Sequence, residues 1–157
     1  MIRPAEFIDI AAKLAAKLAA RPQATEAELR TAIGRAYYGA IHLAKQFLDS
    51  LSLPLKVSIH ELHRYLSNSG NARARLAGDG IAHLQTQRIR ADYHLDQQLA
   101  RHGADPLMHA RMCVESAKNV ESLLATCTVA QAADEIKTGI AEFLKRDPKH
   151  RASRSPN

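Results

Sequence analysis

The sequence predicts an all-α protein: an up-and-down bundle of four to five helices followed by an additional C-terminal helix. Three observations predict it. Alanine and leucine dominate the 157 residues, with only 7 glycines, 6 prolines and 4% aromatics. Ala and Leu lose little freedom in a helix, so this composition favours helix over sheet. Apolar residues recur at spacings of three and four in each long segment. Short connections with capping and breaking signals join the segments, as in a helical bundle. No internal repeat is visible. The chain is long enough for one compact domain and too short for two substantial ones. Residues 1–128 are assigned to the bundle, 129–146 to a C-terminal amphipathic helix and 147–157 to a disordered basic tail.

The first helix opens at Pro4, a good first-turn residue. Its stripe is Phe7, Ile8, Ala11, Leu14, Ala15 and Leu18, and Arg21-Pro22 ends it, because the residue before proline resists the α region. The second opens with the capping box Thr25-Glu26-Ala27-Glu28. A wide buried face follows, from Leu29 through Ile33, Ala36, Tyr37, Ala40, Ala44 and Phe47 to Leu51, and the helix stops before Pro54. A third is expected from the box Ser58-Ile59-His60-Glu61, with Ile59, Leu62 and Leu66 facing inward. The run Ser67-Asn68-Ser69-Gly70-Asn71 is a break, and Gly78-Asp79-Gly80 is expected to be a second one. The next helix is therefore placed from about Gly80 to Leu99, with a loop over Arg101-His102-Gly103-Ala104. Asp105-Pro106 starts the fifth as N-cap and first helical residue. Its stripe is Ala110, Cys113, Ala117, Val120, Leu124 and Cys127. A third capping box, Thr128-Val129-Ala130-Gln131, opens the last helix, which Asp147-Pro148 stops.

The chain has no apolar run long enough to cross a bilayer, so no membrane association is expected. It has no basic segment followed by an uninterrupted apolar one at its start, so a cytoplasmic location is the expectation. The net charge of +6 and pI near 9.6 are compatible with binding a phosphate backbone. Part of that excess lies in the tail, at Lys145, Arg146, Lys149, Arg151 and Arg154. Cys113 and Cys127 are the only cysteines. Fourteen residues apart on one helix, they would be separated by about 21 Å of axial rise, which excludes an intrachain disulfide.

Reactive side chains are densest in Gln87-Arg88-Ile89-Arg90-Ala91-Asp92-Tyr93-His94. Along this helix Ile81, Leu84, Ala91, Leu95 and Leu99 form an apolar stripe, and the position completing it is Arg88. A lone buried guanidinium is costly, so Arg88 must find a partner or open onto a cleft or interface. The competing reading is an arginine that snorkels at the edge of the bundle. A second stripe runs His83, Gln87, Arg90 and His94, able to bind phosphate and exchange a proton, although a solvated face has the same pattern. On a straight helix Arg88 and His94 are about 120° apart. They can cooperate only through a local helix irregularity or across two chains. His60 and His63 have metal-compatible spacing, but a catalytic zinc normally needs three protein ligands, and His102 and His109 are only distant candidates. No metal site or cofactor is expected. There is no P-loop and no nucleophile elbow.

Two stretches resemble a known family. Arg35-Ala36-Tyr37-Tyr38-Gly39-Ala40-Ile41-His42-Leu43-Ala44 is similar to the second-helix signature of HEPN domains (higher eukaryotes and prokaryotes nucleotide-binding). Arg88-Ile89-Arg90-Ala91-Asp92-Tyr93-His94 resembles that family's later motif, and its Arg-to-His spacing fits the ribonuclease members. The resemblance spans roughly 5–125. It implies a dimeric helical bundle in which the motifs of two protomers face each other. It further implies a metal-independent endoribonuclease, in which a ribose 2′-hydroxyl attacks the adjacent phosphate. His94 would be the general acid or base, since imidazole as a residue type titrates near neutral pH. Arg88 would stabilise the pentacovalent phosphate, and Arg90 would hold a flanking phosphate, with Gln87 and His83 beside it. The toxin of a two-gene system, held by a nucleotidyltransferase antitoxin, is one setting the family offers. The alternative is a non-catalytic module that binds RNA, a nucleotide or a nucleotidyltransferase. Ile89 stands where ribonuclease members often carry a polar residue, and Asp96 where some toxin members carry tyrosine.

Overall fold

In the computed structural model, residues 3–20, 25–53, 55, 58–95, 97, 99 and 105–147 are described. They form α1 (Pro4–Ala19), α2 (Glu26–Ser50), a 3-10 turn (Ile59–Glu61) leading into α3 (Leu62–Ser67), α4 (Ala72–Tyr93), α5 (Pro106–Thr126) and α6 (Ala130–Arg146), with no strand among them. No helix among them is long and apolar enough to cross a membrane. The predicted all-α bundle is the fold. The expected loop at 101–104 and all of the expected tail except Asp147 lie outside the described residues.

Helices α1, α2, α4 and α5 make the bundle. α1 lies along α2 and touches α5, while α2 and α4 both pack on α5 and on each other. Their stripes are the predicted ones: Ile8, Ala11, Ala15 and Leu18 meet Ile33, Ala36, Tyr37, Ala40, Ala44 and Leu48, then Ile81 and Leu84, then Cys113, Ala117 and Val120, all buried. Alternating alanine with larger residues lets the axes approach closely without voids. Both cysteines are buried, and burial pushes the Cys113 thiol up to about 12. The Thr25 box forms as expected, with the Thr25 side chain and Glu28 capping each other's backbone amides, and Asp105 Oδ1 accepts the Leu107 amide at 3.0 Å.

Four expectations change. Gly78-Asp79-Gly80 does not interrupt a helix. Asn71 caps α4, its Oδ1 accepting from Arg73 N and Ala74 N at 3.0 and 3.1 Å, and the helix continues through both glycines. Gly78 is there for close approach: a Cβ on it would lie 2.7 Å from Ser67 N and 2.8 Å from His63 O, so α3 rests directly on the α4 backbone. α4 ends at Tyr93, not at Leu99. Leu95 is then 71% exposed, while Leu99 is buried from a non-helical position. The third helix opens with a 3-10 turn in place of the expected capping box, Ser58 Oγ taking the His60 amide at 3.4 Å. Finally, Thr128 does not cap α6. Its hydroxyl donates back to Ala125 O at 2.7 Å, and α6 starts after Val129 with no side-chain cap.

α6 packs on its own chain, against α3. Ile136, Ile140 and Leu144 are buried, and Phe143 meets Tyr65 edge to face at 5.7 Å. Arg64 bridges to Asp147 at 3.3 Å. Gly139 has to be glycine, because a Cβ there would overlap the Ser69 carbonyl.

Candidate functional site at the end of α4

The two stretches singled out in the sequence meet where the end of α4 crosses α2. Arg88 is the predicted charged residue on a buried stripe, and its side chain is 17% exposed. It has partners within the chain. Nη2 donates to Tyr38 Oη at 3.0 Å, and Nε lies 2.6 Å from Asp92 Oδ2. The guanidinium stacks 5.5 Å from the Tyr38 ring and 5.1 Å from the Tyr93 ring. Burial disfavours its charge, but Tyr38, Asp92 and Tyr93 outweigh that, so its pKa lies above the ordinary value. The planar, delocalised charge of arginine suits such a mixed aromatic and carboxylate cage.

His94 is not on the helical stripe. It is the residue after α4, with φ −106° and ψ 63°, and its amide still bonds Arg90 O at 3.2 Å. Its side chain is exposed and lines an open cleft of ≈ 310 Å³ with Thr86, Ile89, Arg90 and Gln97. Among the described residues no hydrogen bond, ion pair or ring contact joins Arg88 to His94. The chain therefore places Arg88 against α2 and His94 with Arg90 in the cleft.

His83, Gln87 and Arg90 stay on one face of α4, beside α5. That packing adds His109, whose pKa is lowered by burial first and then by the charges of Arg90 and His83. Gln87 Oε1 and His109 Nε2 are buried with no hydrogen-bond partner among the described residues. The other histidine pair does not converge. His60 Nδ1 bonds the buried Tyr37 hydroxyl at 2.6 Å, while His63 Nδ1 lies 3.0 Å from His60 O. Burial raises the Tyr37 hydroxyl to about 12. Among the described residues no group of three His, Cys, Asp or Glu side chains is placed to hold a metal.

Sequence reasoning missed Arg30. On α2 it is only 8% exposed. Its Nη1 donates to Arg90 O (3.2 Å), Ala91 O (2.8 Å) and His94 O (3.4 Å), and its Nη2 to Gln97 O (2.8 Å). Glu26 Oε1 accepts from Nε at 3.0 Å and from Nη2 at 2.5 Å. The last carbonyls of a helix lack intrahelical donors, and here one guanidinium donates to two of them, Arg90 O and Ala91 O. The signal was available: Arg30 stands at helical spacing with Ile33, Tyr37 and Ala40, the same break in an apolar stripe that drew attention to Arg88.

By its fold and this site, the protein is an all-α bundle with an open cleft at the end of its fourth helix. No protein-family model matches the chain, and no curated protein or solved structure matches it.

Proposed function

We propose that the protein is a homodimeric, HEPN-type endoribonuclease that cleaves RNA without a metal, with the end of α4 as its site. The observation that carries this reading is the contact between the two motif-like stretches. Tyr38 of the first bonds Arg88 of the second, at the foot of a helix whose next residues open His94 and Arg90 onto a cleft. In this reading His94 takes the proton from the 2′-hydroxyl as the P–O2′ bond forms and delivers it to the 5′-oxygen as the P–O5′ bond breaks, leaving a 2′,3′-cyclic phosphate. Arg90 binds a phosphate flanking the scissile one. Arg88, supplied across a two-fold axis, faces the pentacovalent phosphate. The toxin of a two-gene system, restrained by a nucleotidyltransferase partner, is the biological setting we attach to it.

A second reading has its own support. The Arg88 charge is already matched by Asp92 at 2.6 Å, which suits a non-catalytic module that binds RNA, a nucleotide or a nucleotidyltransferase. RNA incubated with the purified protein in EDTA separates the two. Cleavage by the wild type, abolished in His94→Ala and reduced at least about 100-fold in Arg88→Lys, supports the enzyme. Arg88→Lys is chosen because it leaves Asp92 with a cation. Intact RNA with the wild type, together with its retention in a filter-binding assay, supports the module and overturns the enzyme.

A further inference from the structure

We infer that Arg30 is a positioning residue: it holds the last turn of α4 together with the carbonyls of His94 and Gln97 and thereby sets where His94 stands. The inference rests on the reading of His94 as the proton-transfer group, and it assigns to α2 a part in the site that no motif names.

The geometry leads there in three steps. First, α4 stops at Tyr93 and the chain turns at once, with His94 N bonded to Arg90 O and Gln97 N to His94 O, both at 3.2 Å. Two backbone hydrogen bonds are little to define a site residue. Second, Arg30 takes the same two acceptors from the other side. Arg90 O and His94 O each receive both a backbone amide and Nη1, while Ala91 O and Gln97 O are tied to the same guanidinium. One rigid planar group thus spans eight residues of chain, an arrangement a flexible lysine ammonium cannot reproduce. Third, the guanidinium is itself fixed. It is buried on α2, and Glu26 one turn earlier holds its Nε and Nη2. Since α2 also carries Tyr38, the partner of Arg88, one helix orients both ends of the candidate motif. The turn takes His94 off the helical stripe and opens it onto the cleft with Arg90, while Arg88 stays against α2. Arg30 touches no substrate in this account. It acts only through the backbone of His94.

The test uses the full chain with Arg30→Met, which fills the same space without donors, and Arg30→Lys, which keeps the charge and stem. Amide hydrogen exchange at His94 and Gln97 is expected to rise at least about tenfold in Arg30→Met and less in Arg30→Lys, with exchange in the middle of α2 and α5 unchanged. RNA cleavage should lose about 10- to 100-fold in kcat with KM held within about threefold, again less in Arg30→Lys. Wild-type exchange at both amides, or a defect confined to KM, overturns the inference. If Arg30→Met does not fold, Arg30→Lys decides, and wild-type exchange and kcat in that variant overturn it. If the wild-type protein cleaves no RNA, the ribonuclease reading fails on its own. The exchange of His94 and Gln97 then decides whether Arg30 holds the turn.

Discussion

Arg30 and Arg88 both meet the cost of a shielded guanidinium with oxygens and ring faces drawn partly from another helix. Removing one partner from such a set leaves the others desolvated and unmatched, so truncation costs more than any single contact contributes. His109 follows the opposite rule. It is half-buried near Arg90 and His83, and its pKa lies below the ordinary value, chiefly through burial. Such a group is neutral in the folded protein at pH values where the unfolded chain, near 6.5, is already taking up a proton. The unfolded state therefore binds more protons below about pH 6.5, and stability falls as pH drops from there toward the folded pKa. His109→Gln removes that contribution. Melting temperatures of wild type and variant at pH 7.5 and 5.5 check it: the acid-induced drop should be smaller in the variant. An equal drop would place the sensitivity elsewhere, with His63, whose pKa is also lowered, next in line. Arg88 was legible in the sequence because a single charge broke a stripe. His109 was not, because its environment comes from α5 docking on α4, which periodicity within one helix cannot report.

At the scale of the element, helix ends account for what the sequence read correctly and what it missed. Caps made by one residue on its own helix were readable: Thr25 on α2 and Asp105 on α5 bond as their local pattern dictates. Ends decided by tertiary contact were not. Gly78 reads as a breaker because glycine is a poor helix former, yet α3 lies so close to it that any side chain would collide. The α4 terminus reads as continuing to Leu99 because its apolar spacing continues, while the side chain that binds its last turn, Arg30, lies some 60 residues earlier. The start of α6 is a further case, with Thr128 spent on the end of α5. That leaves the first amides of α6 without a side-chain acceptor. Val129 is its N-cap, largely exposed and already extended, at φ −64° and ψ 135°. Val129→Asp should therefore stabilise the protein by about 0.5–1.5 kcal/mol, both by capping and by favourable charge at the helix N-terminus. Urea unfolding monitored by circular dichroism measures the gain. No gain, with the fold intact, would mean that α6 unfolds separately from the bundle and its start does not limit stability.

At the scale of the molecule, three of the eight exposed large hydrophobic side chains found among the described residues gather at the end of α4. Ile89 and Tyr93 lie one turn apart on α4 and Leu95 follows, and all three are exposed, Tyr93 by 67%. Ile89 lines the cleft that holds His94 and Arg90, and Tyr93 and Leu95 flank His94 in the chain. A group of exposed apolar side chains is the composition of an interface centre more than of a solvated face. The basic net charge argues that the cleft itself stays open to an anionic ligand. Both features fit a second copy of the chain docking on the apolar rim, which would bring the two copies of Arg88 and His94 toward one cleft. Leu95→Glu tests this without touching either residue. Placing a carboxylate in an apolar interface costs several-fold to many-fold in affinity, whereas on a free surface it is nearly neutral for stability. Sedimentation of the wild type is expected to give a dimer, and of Leu95→Glu a monomer with an unchanged thermal midpoint at low concentration. RNA cleavage should be lost in parallel with the dimer and return as protein concentration is raised. A wild-type monomer would remove the two-chain site, and Arg88 would then have to act from its cage of Tyr38, Asp92 and Tyr93 or not at all.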